Sequence, residues 1–327
     1  MNDNNIMNAR IDEDSLTLLT TAFELYNISK SHNSIYRESH DATICKNLIK
    51  QYYKLVQPNY IDMIMNFKRK YISNEALVEK NDTPEERKGI ALVYDYITQF
   101  DVDNKKFYLF DEAFSIHSLL YKYLDEKNAS DDEELKNEAR KLLEEAKQEK
   151  DLKKFKAARE MLSNFSSSSR FGGNLRKGPV VMEGFNASIP DANEACKLFN
   201  QYRQPEKVNE YEYIRKYEDI FDYIEYCVKT SADLIALQPF GDGNKRTFRA
   251  LLNLMFKERN IPPVYFVKKE RKPYHDALEK AICNKDYEDL INFYYFKICD
   301  SIYALDFKPY LDYVNGEKNK SKVKKIR

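Results

Sequence analysis

Gln238-Pro239-Phe240-Gly241-Asp242-Gly243-Asn244-Lys245-Arg246-Thr247-Phe248-Arg249 is the stretch from which the chain is best read. An apolar run, Leu234-Ile235-Ala236-Leu237, leads into it, and a second, Ala250 to Phe256, leads out. The pattern sets two helices around a short corner that holds an acid, two glycines, an amide and three cations. Asp242 is a carboxylate suited to a hard cation. Gly243 lets the backbone come close to a ligand. Asn244 starts a helix, whose first N–H groups and dipole favour an anion. Arg246 and Arg249 are three apart on that helix and share a face. An acid for a metal, an anion nest and two guanidiniums on one side describe a nucleotide phosphate site. A helix–turn–helix corner with a solvated charged face uses the same residue types, and the spacing alone leaves both open.

The 327 residues suffice for one large domain or two small ones. Charged residues make up 32%, with 53 of each sign, so no global field recruits nucleic acid or an anionic membrane. Glycine occurs eight times, and six of these lie at 172, 173, 178, 184, 241 and 243. Glycine is therefore concentrated beside the phosphate-like motif. The five cysteines (45, 196, 227, 283 and 299) are odd in number and form no C-x-x-C pair, which reads as reduced, buried thiols in a cytoplasmic chain. The start, Met1 to Arg10, is polar, with no apolar signal region, and no run reaches the ~18 apolar residues of a membrane span.

Helical patterns run through most of the sequence. The reading places helices at 16–28, 44–56, 84–100, 111–125, 190–202, 213–237, 247–259, 273–283 and 286–304. Thr83 is the expected N-cap of the third, with Pro84 in its first turn. Residues 126–169 are dominated by Lys, Glu, Asp and Ala and end in four serines, which predicts an exposed helical arm. Between 173 and 184, Val180 and Met182 alternate with Val181 and Glu183 at period two, the only convincing strand signal. The Lys-rich end beyond Asn315 reads as a solubilising, disordered tail. The expected organisation is an N-terminal helical region (1–84), a first core part (85–125), a charged insertion (126–169), a main core (170–312) and a basic tail (313–327).

The motif resembles the signature of the Fic family, H-P-F-x-D/E-G-N-G/K-R-x-x-R. Its flanks are similar too. Residues 250–264, A-L-L-N-L-M-F-K-E-R-N-I-P-P-V, follow the family's helix and turn, and K-E-R-K-P-Y-H-D-A-L follows its next helix. Residues 173–184, G-N-L-R-K-G-P-V-V-M-E-G, resemble its β-hairpin flap, and 106–121 resemble its I-x-x-L-H-x-x-L helix. The resemblance implies a mainly α helical bundle with one β-hairpin flap and a charged helical insertion. It implies AMP transfer from ATP to a Ser, Thr or Tyr hydroxyl of a protein target. Asp242 would hold Mg²⁺ bridging the α- and β-phosphates, and Gly243 and Asn244 would form the anion hole. Arg246 and Arg249 would take the β- and γ-phosphates. Gly173, Leu175, Val180 and Met182 would belong to the flap that docks an extended target segment. No membrane is implied, and export as an effector into a host cell is compatible with the resemblance.

One position departs. The family's motif histidine is Gln238 here. A neutral imidazole accepts the proton of an attacking hydroxyl, whereas an amide only hydrogen-bonds to it. Loss of a general base removes ~10²–10⁴ in rate. The reading is therefore an impaired adenylyltransferase or, alternatively, a non-catalytic nucleotide-binding protein. His117 matches a scaffold histidine and His275 falls in the Tyr274 helix; both read as structural. Lys245 occupies a position where the Doc-like branch has lysine, which keeps phosphoryl transfer as a third reading, although Arg249 is foreign to that branch. Many relatives carry an inhibitory S/T-x-x-x-E-G/N segment whose glutamate pairs with the last arginine. Ser34-Ile35-Tyr36-Arg37-Glu38 fits it up to the sixth position, which is Ser39.

Overall fold

A computed structural model describes residues 18–22, 24–26, 39–56, 67–78, 83–100, 110–149, 153–154, 156–158, 172–182, 184–217 and 219–304. The fold is mainly helical. The helices are α1 (Ser39–Val56), α2 (Lys68–Val78), α3 (Pro84–Gln99), α4 (Glu112–Glu149), α5 (Ala192–Tyr202), α6 (Pro205–Tyr217), α7 (Ile220–Leu237), α8 (Asn244–Glu258), α9 (Arg271–Asn284) and α10 (Glu288–Ala304). None of the described helices is long and apolar enough to cross a membrane.

Helix α8 lies at the centre. It is buried almost all round, from Thr247 to Phe256, and packs against α3, α4 and α7. A helix enclosed in this way needs apolar residues on every face, which is why Ala250 to Phe256 shows little periodicity. The amide buried in its middle, Asn253, is satisfied: it accepts from Val264 N at 2.8 Å and donates to Val264 O at 3.1 Å. Helix α3 begins with a complete capping box, in which Glu86 N donates to Thr83 Oγ1 and Thr83 N to Glu86 Oε2. It buries Glu86, Ile90, Val93, Tyr94 and Ile97 at helical spacing, with Gly89 among them. A Cβ at Gly89 would stand 2.2 Å from Leu120 O, so only glycine permits the close approach of α3 and α4.

Several boundaries differ from the sequence expectation. Helix α4 does not stop near Asp125; it continues unbroken to Glu149. Its first part buries Ala113, Ile116, His117, Leu120 and Tyr121, whereas Ala139 and Ala146 are the buried residues farther along. The charged insertion thus begins as an extension of a core helix, because Lys/Glu-rich sequence propagates a helix that a buried face has started. The single helix expected over 213–237 is two, α6 and α7, divided where Asp219 caps Phe221 N at 2.8 Å. Helix α2 falls in the expected N-terminal helical region, but no helix was placed at its residues. Tyr71, Glu75, Ala76 and Val78 form its buried face, and a glutamate on that face hides the apolar pattern.

The hairpin at 173–184 is absent among the described residues. One isolated antiparallel bridge, Leu175 to Phe240, takes its place. The period-two signal reports extended chain, with Met182 buried and Val181 89% exposed, and does not specify a partner strand. Arg176 ties the segment down: its guanidinium donates to Gly178 O at 2.9 Å and to Pro190 O at 2.6 Å. All five cysteines are free thiols; Cys45, Cys227 and Cys299 are buried as expected, whereas Cys196 is half-buried and Cys283 exposed. The tail at 313–327 and the Ser34–Glu38 segment lie outside the described residues.

Candidate functional site

The corner between α7 and α8 is a tight turn entered and left in left-handed backbone. Gln238 has φ 47° and Gly243 has φ 72°. A side chain at Gly243 would also stand 2.7 Å from the ring of Tyr121, so glycine is required twice over. Asn244 staples the turn: Phe240 N donates to its Oδ1 at 2.9 Å, and its Nδ2 donates to Phe240 O at 2.8 Å and to Gln238 Oε1 at 3.1 Å. Gln238 Nε2 donates to Ile235 O at 2.7 Å. Both ends of the Gln238 amide are therefore held by the protein, and the side chain is buried.

Arg176 clamps the same turn from outside. Its Nε donates to Gln238 O at 2.6 Å and its backbone N to Pro239 O at 2.9 Å. Sequence reading passed over this residue, although it sits in the glycine-rich segment between Leu175 and Lys177. His117 fixes the other side. It stacks on Phe240 with ring centroids 4.0 Å apart. Gly173 N donates to its Nδ1 at 2.9 Å, so the proton sits on Nε2, which donates to Asp242 O at 3.0 Å. Burial is the main cause that lowers its pKa to about 4, with Arg246 adding to the shift. His117 is a neutral brace that joins Gly173, α4 and the turn.

Asp242, Arg246 and Arg249 follow along the turn and the first two turns of α8. Asp242 is 60% exposed; it accepts from Tyr121 Oη at 2.7 Å and from Gly243 N at 2.6 Å. Arg246 donates to Glu86 Oε1 at 2.8 Å and to Tyr121 Oη at 3.0 Å. Burial pushes the Tyr121 hydroxyl pKa well up, so it remains a proton donor. Arg249 is 2% exposed and pairs with buried Glu75, through Nη2 at 2.9 Å and Nε at 3.3 Å. Its guanidinium also lies over Phe266 and Tyr274, 5.4 and 5.6 Å from the ring centroids. Lys245 projects elsewhere, over the ring of Phe185 at 5.5 Å.

The structure thus brings Gln238, Asp242, Gly243, Asn244, Arg246 and Arg249 together. It adds Glu75, Glu86, Tyr121 and Arg176, which sequence reading did not select. Of the expected docking residues, Gly173 is tied to His117, Leu175 to Phe240, and Met182 is buried, while Val180 is half-buried. Val181 is the large apolar residue that the segment exposes. Among the described residues no three of His, Cys, Asp and Glu cluster to hold a metal. A single exposed carboxylate fits Mg²⁺ of the kind that arrives with phosphates, which keeps most of its oxygen ligands from water and substrate.

Residues 110–256 match the model of the Fic/DOC family. This stretch is a Fic/DOC family domain. The chain is 36% identical over 62 residues to "Protein adenylyltransferase Fic" of Aedes aegypti, a match that covers 19% of this chain and 12% of that protein. It is likewise 36% identical over 58 residues to the protein of the same name from Culex quinquefasciatus, covering 18% and 12%. The chain therefore aligns with only a small part of these relatives' length. A solved structure of Fic-1 from C. elegans aligns over 88% of this chain and 98% of that one, at 12% identity and a TM-score of 0.44.

Away from this domain's motif turn, α8 ends in a second polar cluster. Glu258 has a fully buried side chain, accepts from Tyr211 Oη at 2.7 Å and from Arg215 at 3.3 Å, and leaves its Oε1 without a partner. Tyr223 and Cys227 lie alongside, with Glu212 beyond Arg215 and Arg259 over Tyr223. Burial raises its pKa from 4.5 to about 7, against the lowering effect of Arg215. An acid that holds its proton longer when folded loses stability as pH rises from its unfolded to its folded pKa. His117 does the opposite: its folded pKa lies below its unfolded one, so its contribution falls as pH drops from 6.5 towards 4. The two slopes oppose each other over the same interval. Glu258→Gln should therefore expose the His117 slope. In urea titrations its stability relative to the parent should rise by up to ~3 kcal/mol between pH 4.5 and pH 8. A difference that stays constant with pH would mean that Glu258 is ionised throughout.

Proposed function

We propose that this Fic/DOC domain binds a magnesium–adenine nucleotide at the N-terminus of α8, and that its AMP transfer to protein Ser, Thr or Tyr hydroxyls is impaired as the chain stands. The observation that carries the reading is the grouping of Asp242, Arg246 and Arg249 around the left-handed Gly243. Asp242 would hold Mg²⁺, which would neutralise phosphate charge. The first N–H groups of α8 would receive phosphate oxygens, and the two arginines would hold the distal phosphates. The curated relatives' names supply adenylyl transfer and a protein as the acceptor.

Two features oppose turnover. Gln238 has no group that accepts a hydroxyl proton, and its amide is already occupied at both ends. Glu75 occupies Arg249, so a γ-phosphate has to displace a buried carboxylate to reach it. We assign to Glu75 the inhibitory part that the sequence resemblance gave to Glu38. The tied Gln238 amide also favours a second reading, a nucleotide-binding protein without transferase activity.

Titration calorimetry with ADP and MgCl₂ tests the common core of both readings, since ADP makes no demand on Arg249 for a γ-phosphate. Binding is expected in the parent. Asp242→Ala should weaken it by roughly 10- to 100-fold, the loss of one charge-assisted contact. Absence of heat in the parent, or equal affinity in Asp242→Ala, would remove the nucleotide site.

A further inference from the structure

We propose that Tyr121 is a positioning residue that keeps Asp242 and Arg246 from closing on each other, so that each stays presented to a magnesium nucleotide. This rests on the nucleotide reading above. Asp242 and Arg246 are one helical turn apart and of opposite charge, with Arg246 Nη2 3.6 Å from Asp242 Oδ2. A half-exposed carboxylate at that distance from a guanidinium normally moves into direct, bidentate contact. Tyr121 prevents it. Its hydroxyl stands between the two, accepting from Arg246 Nη2 at 3.0 Å and donating to Asp242 Oδ2 at 2.7 Å.

The hydroxyl is itself held. Tyr121 lies on the buried face of α4, its ring tilted against His117 with centroids 4.8 Å apart and so close to Gly243 that a Cβ there has no room. Glu86 anchors the far side of Arg246 at 2.8 Å, and the α3 capping box fixes Glu86 in turn. Arg246 therefore cannot retreat, and Asp242 is the movable partner. Each carboxylate oxygen accepts about two hydrogen bonds. Oδ1 spends one on Gly243 N and Oδ2 one on Tyr121. The remaining lone pairs face solvent, where a divalent cation can take them. Without the hydroxyl, Arg246 would take them instead, and both the cation ligand and one phosphate ligand would be lost together.

The test is Tyr121→Phe, which keeps the ring against Gly243 and deletes only the wedge. Mn²⁺ binding in the presence of ADP would be followed by electron paramagnetic resonance, with unfolding temperature measured in parallel. The expected result is Mn²⁺ affinity weakened by about tenfold, while metal-free variant and parent unfold within a few degrees of each other. Equal Mn²⁺ affinity in parent and Tyr121→Phe overturns the proposal and leaves the nucleotide site standing. A lower unfolding temperature with unchanged Mn²⁺ affinity assigns Tyr121 to packing alone and also overturns it. No Mn²⁺·ADP binding in the parent removes the nucleotide reading and this inference with it.

Discussion

A Gln238→His, Glu75→Ala double variant is expected to transfer AMP from α-labelled ATP about 10²–10⁴ times faster than the parent chain, the factor that a general base supplies. The backbone suits the change. Gln238 sits at φ 47°, in the left-handed region where histidine is among the better tolerated residues. A neutral imidazole has one donor and one acceptor nitrogen, so it can replace the bond to Ile235 O and still offer an acceptor to a substrate hydroxyl. Glu75→Ala frees Arg249 for the γ-phosphate without putting glycine into α2. The two changes act on different steps, proton removal and phosphate placement, so the double variant should exceed both singles. Equal labelling by Gln238→His with and without Glu75→Ala would show that Glu75 is no latch. No labelling in any variant that still binds Mg·ADP would favour the binding protein. Transfer of a γ-label alone would revive phosphoryl transfer and bring Lys245 back into consideration.

Helices were legible wherever a buried apolar stripe and a cap occur together, as in α3 with Thr83, Pro84 and Glu86. The motif turn was legible because glycine, acid, amide and arginine each has a narrow use. What escaped was the site's other wall. Glu75, Glu86 and Tyr121 lie on α2, α3 and α4, remote in sequence from α8, and each looks ordinary where it stands. A glutamate on the inner face of a helix reads as a break in the apolar pattern, and only the partner across the core explains it. The S-x-x-x-E pattern at Ser34–Glu38 drew attention because it is local, whereas Glu75 has no such pattern and meets Arg249 through tertiary packing. The pairing within the flap was not legible for the related reason that alternation gives extension without naming a partner strand.

Arg249→Met is expected to destabilise the fold by about 3–5 kcal/mol, because it leaves the Glu75 carboxylate buried and unpaired. The side chains of the pair are 2% and 6% exposed, so water does little to screen or replace the lost partner. Arg249 also gives up its position over Phe266 and Tyr274. Replacing both members, Glu75→Leu with Arg249→Met, should recover most of that loss, since well-packed apolar pairs often match buried ion pairs. Urea unfolding of the parent, both singles and the double closes the cycle, and a coupling energy above about 2 kcal/mol is expected. A single Arg249→Met within about 1 kcal/mol of the parent would mean that the pair is not desolvated. The same cycle bears on function. Any phosphate that reaches Arg249 has to displace the buried Glu75 carboxylate paired with it, so nucleotide contacts at Arg249 should be compared in the Glu75→Leu background. There, ATP should gain affinity over ADP relative to the parent, because its γ-phosphate would meet an arginine with no buried carboxylate to displace.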